Sequence, residues 1–177
     1  TTLPTSAGTY SVTPSAVVLS TGSTANYSFT YVAGTFTITA ATQTISFPTI
    51  SSKVYGNGTF TATATATSGL NVTFASTTTA ICTVSGTTVT IIKAGTCTLT
   101  ADQSGNANYG AAAQVSQNIA ITKATLTATA SSHNVAYGAA APTLTVTYSN
   151  FVNGDNANTS SFTTGLVAPT CSTTYTS

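Results

Sequence analysis

Thr61-Ala-Thr-Ala-Thr-Ala-Thr67 alternates a β-branched hydroxyl residue with a small apolar one at strict period two. In an extended chain successive side chains leave on opposite faces, so the run presents one apolar face to a core and one hydroxyl face to water. Three further stretches read the same way: Thr35-Phe-Thr-Ile-Thr39, Thr125-Leu-Thr-Ala-Thr129 and Thr143-Leu-Thr-Val-Thr-Tyr148. Turn signals punctuate them at Gly56-Asn57-Gly58, Ser68-Gly69, Ser85-Gly86, Ala94-Gly95 and Asn153-Gly154, several suited to tight hairpins. No segment carries a capped apolar stripe at 3.6-residue spacing. The expected class is all-β, with short antiparallel strands packed as sandwiches.

Composition narrows the function. Of 177 residues, 41% are hydrophobic and only 3% charged, namely three Lys and two Asp, against about 25% in ordinary domains. Hydroxyl and amide groups must therefore keep the chain in solution. Lys53, Lys93 and Lys123 are the only cations besides His133, too few to release counterions from a nucleic acid. His133, Asp102 and Asp155 are the whole inventory titrating near or below neutrality. A catalytic triad or three-ligand metal site would consume all of it. The expectation is no enzyme, no catalytic residue, no cofactor and no resident metal. No apolar run approaches the about 18 residues of a membrane span, and Thr1 to Tyr10 lacks the basic start and apolar core of a signal peptide. Met is absent altogether, so the stretch is expected to be an excerpt or a processed product.

The chain also repeats itself. Ala25-Asn26-Tyr27 recurs as Ala107-Asn108-Tyr109, and Tyr55-Gly56 as Tyr137-Gly138, both at an offset of 82. The phase is displaced: residues 41–123 make one complete unit, 124–177 open a second, and 1–40 have the character of the second half of a unit. The expected organisation is a tandem immunoglobulin-like array, cut so that 124–177 is completed by residues 1–40 of the next copy or subunit.

Ordered motifs then carry a resemblance. Ile45-Ser-Phe-Pro48, Lys53-Val-Tyr-Gly56, Ser68-Gly-Leu-Asn-Val-Thr-Phe74, Ile81-Cys-Thr-Val-Ser-Gly86, Ala94-Gly-Thr-Cys97 and Gly105-Asn-Ala-Asn-Tyr109 resemble the bacterial immunoglobulin-like repeats of large surface and secreted proteins. Ala136-Tyr-Gly138 and Phe151-Val-Asn-Gly-Asp155, with Gly8-Thr-Tyr10 and Ala25-Asn-Tyr27, are similar to the MBG type of such repeats. The resemblance implies extracellular β-sandwich repeats in adhesin, stalk or matrix proteins, and no catalytic residues. In similar repeats a Cys at the position of Cys171 often has a partner after the Gly-Thr-Tyr turn, where this chain has Ser11-Val-Thr-Pro-Ser15.

Individual residues yield narrower readings. Cys82 and Cys97 lie on alternating segments; if Cys82, Val84, Val89, Ile91, Cys97 and Leu99 share the inward face, the two thiols are expected to meet in the core as a disulfide that closes a loop of about 15 residues, the alternative being two small buried hydrophobes. Cys171 is free or bridges between copies. Asn26, Asn57, Asn71 and Asn158 match the glycosylation acceptor pattern, and the Thr and Ser surface offers O-linked sites. The loops at Asp102 and Asp155 carry one carboxylate each, which suits turns, or at most weak Ca²⁺ sites. Tyr27 and Tyr109 read as tyrosine corners, and Tyr55 and Tyr137 as anchors at tight turns. A Lys-to-Asn isopeptide bond would need an assisting carboxylate beside a buried Lys, and both Asp residues fall in loops. The leading function is a non-catalytic extracellular structural array, a fibre, stalk or matrix filament that associates end to end with identical repeats; the alternative is an adhesin or glycan-binding cell-surface module.

Overall fold

A computed structural model describes residues 3–140, 142, 143 and 145–156. Cys171 and Asn158 lie outside the described residues. Among the described residues thirteen strands are formed: β1 (Gly8–Val12), β2 (Gly34–Ile38), β3 (Ile45–Ser46), β4 (Lys53–Val54), β5 (Thr59–Thr61), β6 (Thr65–Ala66), β7 (Thr73–Ser76), β8 (Cys82–Ser85), β9 (Thr88–Ile91), β10 (Gly95–Asp102), β11 (Val115–Thr122), β12 (Thr127–Ala130) and β13 (Val146–Ser149). The helical element among the described residues is a single 3₁₀ turn, Thr24–Asn26, whose Ala25 N–H is accepted by the Ser23 hydroxyl. The fold is all-β and sandwich-like.

The chain forms two compact units. One gathers the stretch up to Thr49, Thr63–Ala75 and Thr100–Gln117; the other gathers Ile50–Ala62, Ser76–Leu99 and the stretch from Asn118 onward. Strand order is β4-β11-β10-β7 in the four-stranded sheet and β5-β9-β8 in the three-stranded one, with three pairs besides: β1-β2, β3-β6 and β12-β13.

The Thr-Ala run keeps its faces but not its continuity. Ala62 and Ala66 are buried, Ala64 is half-buried, and Thr61, Thr63, Thr65 and Thr67 are all exposed. The single strand expected there is two: β5 pairs with β9 through Thr59↔Thr90 and Thr61↔Thr88, while β6 pairs with β3 through Ile45↔Ala66. Small Ala side chains allow the chain to change hydrogen-bonding partners without emptying a large core position. A second departure from the antiparallel expectation is β4, which runs parallel to β11 with Ile121↔Lys53 and Thr122↔Val54 in register. Parallel neighbours need a long crossover, and here most of the central stretch lies between them.

In the second unit the core is Ala62, Val89, Ile91, Leu99, Ile119, Ile121 and the cystine. Cys82 on β8 and Cys97 on β10 are bonded, with Cα atoms 5.7 Å apart, which decides between the disulfide and the two buried thiols. The bond links the three-stranded to the four-stranded sheet, and both sulfurs sit in residues with no exposed area. The β8-β9 hairpin closes through Ser85↔Thr88 over Gly86-Thr87, with Gly86 at φ +60°, a left-handed turn residue that suits Gly.

In the first unit Phe47, Ala66 and Ala101 are buried, and the Phe47 and Phe74 rings meet at 5.5 Å between centroids. Beside them Gln43, only 6% exposed, donates from Nε2 to Gln103 Oε1 (2.9 Å) and Gly110 O (2.6 Å) and accepts from the Ser68 hydroxyl. An unsatisfied buried amide would cost on the order of 1–3 kcal/mol, so this knot holds three loop segments together.

Opening the disulfide is expected to lower stability by about 3 kcal/mol, the loop-closure value for a ring of this size. The paired Cys82→Ser, Cys97→Ser variant, compared with the parent in urea titrations without reductant, checks it; an unchanged midpoint would show the core stands without the cystine.

Candidate functional site

Tyr55 follows β4 directly and is fixed by the parallel ladder, its N–H donating to Thr122 O at 2.8 Å. The turn then closes through Asn57 N–H to Val54 O at 3.1 Å, with Gly56 at φ +100°. Facing it is the loop Phe151-Val152-Asn153-Gly154-Asp155, whose own turn closes through Asp155 N–H to Val152 O at 3.0 Å, with Asn153 and Gly154 both at positive φ. The Tyr55 hydroxyl donates to Asp155 Oδ2 at 3.1 Å. Val152 packs onto Gly56 so closely that a Cβ there would lie 2.7–2.8 Å from the Val152 side-chain carbons. Glycine is required on two counts: left-handed backbone and close approach.

Between these segments lies a cavity of about 160 Å³, lined by Tyr55, Lys123, Leu126, Phe151 and Asp155 among others. Pockets for organic ligands run to roughly 300–1,000 Å³, so the volume suits a few waters. The geometry is that of a clasp between two turns.

The remaining singled-out residues are dispersed. His133 is exposed, with Nε2 3.0 Å from Ser131 Oγ, and Ser131 Oγ also accepts the Thr145 N–H, which places the imidazole beside a strand end. Asp102 Oδ1 accepts from Gln114 Nε2 at 2.8 Å. Both carboxylates thus serve local hydrogen bonds, and no three of His, Cys, Asp and Glu gather among the described residues. Lys53 Nζ lies 5.6 Å from the Phe60 ring centroid, within cation–π range. Asn26, Asn57 and Asn71, which match the glycosylation acceptor pattern, are exposed.

The tyrosine corner falls elsewhere than expected. Tyr10 donates to Ser6 O at 2.7 Å, tying its loop to backbone four residues upstream. Tyr27 is 64% exposed, and Tyr109 enters its loop through backbone groups, with its N–H donating to Asn106 Oδ1 and its carbonyl accepting from Asn106 N–H. The clasp is not legible in the sequence: Tyr55 and Asp155 lie 100 positions apart, and no periodic signal joins them. The available clue was that Tyr-Gly and Asn-Gly-Asp are both turn motifs with a polar group to place.

Residues 126–177 match the family model of the MBG domain, YGX type, and Tyr137-Gly138 falls inside the matched stretch. MBG domains are repeat modules of bacterial surface proteins. No curated protein and no solved structure matches the chain.

Tyr55→Phe is expected to cost about 1 kcal/mol, as befits a half-exposed hydrogen bond to a carboxylate. Gly56→Val is expected to cost more, roughly 2–4 kcal/mol, from the backbone and the clash with Val152 together. Thermal melts of both variants check the order; equal small losses would mean that Val152 does not pack on the turn.

Proposed function

We propose that the chain is a non-catalytic, extracellular structural module, one period of a tandem immunoglobulin-like array that builds a fibre, stalk or matrix filament. The distribution of exposed apolar side chains carries this reading. Thirteen large hydrophobic residues are exposed among the described residues: nine lie between Leu3 and Phe36, two are Val135 and Tyr137, and only Val54 and Ile92 belong to the central stretch. The central stretch covers most of its apolar groups. The flanking stretches, which hold the two-stranded pairs β1-β2 and β12-β13, do not.

A two-stranded hairpin is at best marginal in water without a covering layer, and clustered exposed apolar groups mark interaction surfaces. Tyr27, Phe29, Tyr31 and Val32 are all exposed within one short stretch, apolar surface of the kind that an opposite sheet would cover. Residues 124–177 and 1–40 of a neighbouring copy supply two such halves, so end-to-end association of identical repeats removes the exposed surface of both. The core disulfide and the exposed acceptors Asn26, Asn57 and Asn71 accord with an oxidising, extracellular setting, where glycans would add solubility to a nearly uncharged surface.

Two measurements test the reading. The native material, denatured and reduced, is expected to have a covalent mass many times 17.6 kDa; a mass of one chain would overturn the covalent array. A recombinant chain of two copies joined end to end is expected to unfold with more than twice the calorimetric enthalpy of one copy, because it contains a completed second sandwich. Simple doubling would show that the halves do not complete each other.

A further inference from the structure

The two Tyr-Gly turns differ in one respect. Gly56 is covered by Val152, and Tyr55 is bonded to Asp155. Its repeat counterpart is open: Tyr137 is fully exposed, at 109% of its reference area, and a Cβ on Gly138 would meet nothing within 4 Å. The backbone is nevertheless set alike, with Gly138 at φ +80° and Ala139 N–H donating to Ala136 O at 3.1 Å, as Asn57 N–H donates to Val54 O. Among the described residues, the second turn has the shape of the first without its occupant.

We propose that the Tyr137-Gly138 turn is the receiving half of a second clasp, and that its occupant is the Ser68-Gly69-Leu70-Asn71 loop of a second copy of this chain. The choice of loop follows from the repeat. The loop that fills the Tyr55 turn begins at Phe151, 14 residues after Tyr137; the position 14 residues after Tyr55 is Gly69, so at the same 82-residue offset Val152 corresponds to Leu70 and Asn153 to Asn71. The Phe151–Asp155 loop is already engaged by Tyr55, whereas Gly69 and Asn71 are exposed and a Cβ on Gly69 would meet nothing within 4 Å. Leu70 supplies the apolar group that Val152 supplies in the first clasp, and Asn71 Oδ1 is an acceptor for the Tyr137 hydroxyl. Because Asn71 also matches the glycosylation acceptor pattern, a glycan there and the clasp would exclude each other.

This inference rests on the end-to-end reading above, and the test separates the two. In the two-copy chain, hydroxyl-radical footprinting is expected to show Tyr137 of the first copy oxidised severalfold more slowly than Tyr137 of the second, with amide exchange at Gly69–Asn71 slowed only in the second copy. Tyr137→Ala in the first copy is expected to restore that exchange while leaving the Cys82–Cys97 unit's melting unchanged. Equal oxidation of the two tyrosines, or exchange unmoved by the substitution, would overturn the clasp even where the calorimetry supports completed sandwiches. If the enthalpy merely doubles but the Tyr137 protection persists, the clasp stands and the completed-sandwich reading falls.

Discussion

Very little apolar volume is available per residue in this chain, and the fold is organised around that scarcity. The core of the second unit is a handful of aliphatic side chains, Val89, Ile91, Leu99, Ile119 and Ile121 with Ala62, surrounding one cystine. Stability is a small difference between large terms, and a thin core yields little of the favourable one. A covalent link between sheets offsets that shortage where it matters, at the centre of the sandwich. Ser76 and Thr78 hydroxyls lie 3.3 and 3.7 Å from Cys82 Sγ, so the polar neighbours of the bond donate to it.

Amides take the place that ions hold in most domains. Gln43, Gln103, Asn106, Gln114 and Gln117 each bridge a side chain to a strand end or loop, as when Gln117 Nε2 donates to Phe47 O at 2.8 Å. Except for the Gln114 bond to the Asp102 carboxylate, both partners in these bonds are uncharged, so salt screens little of what they contribute. No buried side-chain nitrogen or oxygen among the described residues is left without a partner, which is the condition for such networks to stabilise.

The faces of the strands were legible because burial follows a period of two: Ala62 and Ala66 point inward as the alternation requires. The same periodicity is silent on partners, so the passage from β5 to β6 within one Thr-Ala run could not be read. Cys82 and Cys97 could be placed on one face, with Val84 left half-buried, yet the sequence alone left two outcomes open. The Tyr55–Asp155 bond was illegible because it depends on the placement of two distant turns. Gln43 gave no signal at all; nothing in Thr42-Gln43-Thr44 distinguishes a buried amide from a surface one.

The parallel pairing of β4 with β11 has a mechanical consequence. β4 lies near the beginning of the central stretch and β11 near its end, side by side and pointing the same way. Tension applied through the flanking chain therefore pulls the two strands in opposite directions along their length, and their hydrogen bonds must yield together in shear rather than open one after another. Should they yield, the segment between Cys82 and Cys97 still cannot pay out, because the disulfide closes it. Under such tension this stretch would resist extension first as a bonded patch and then as a shortened thread.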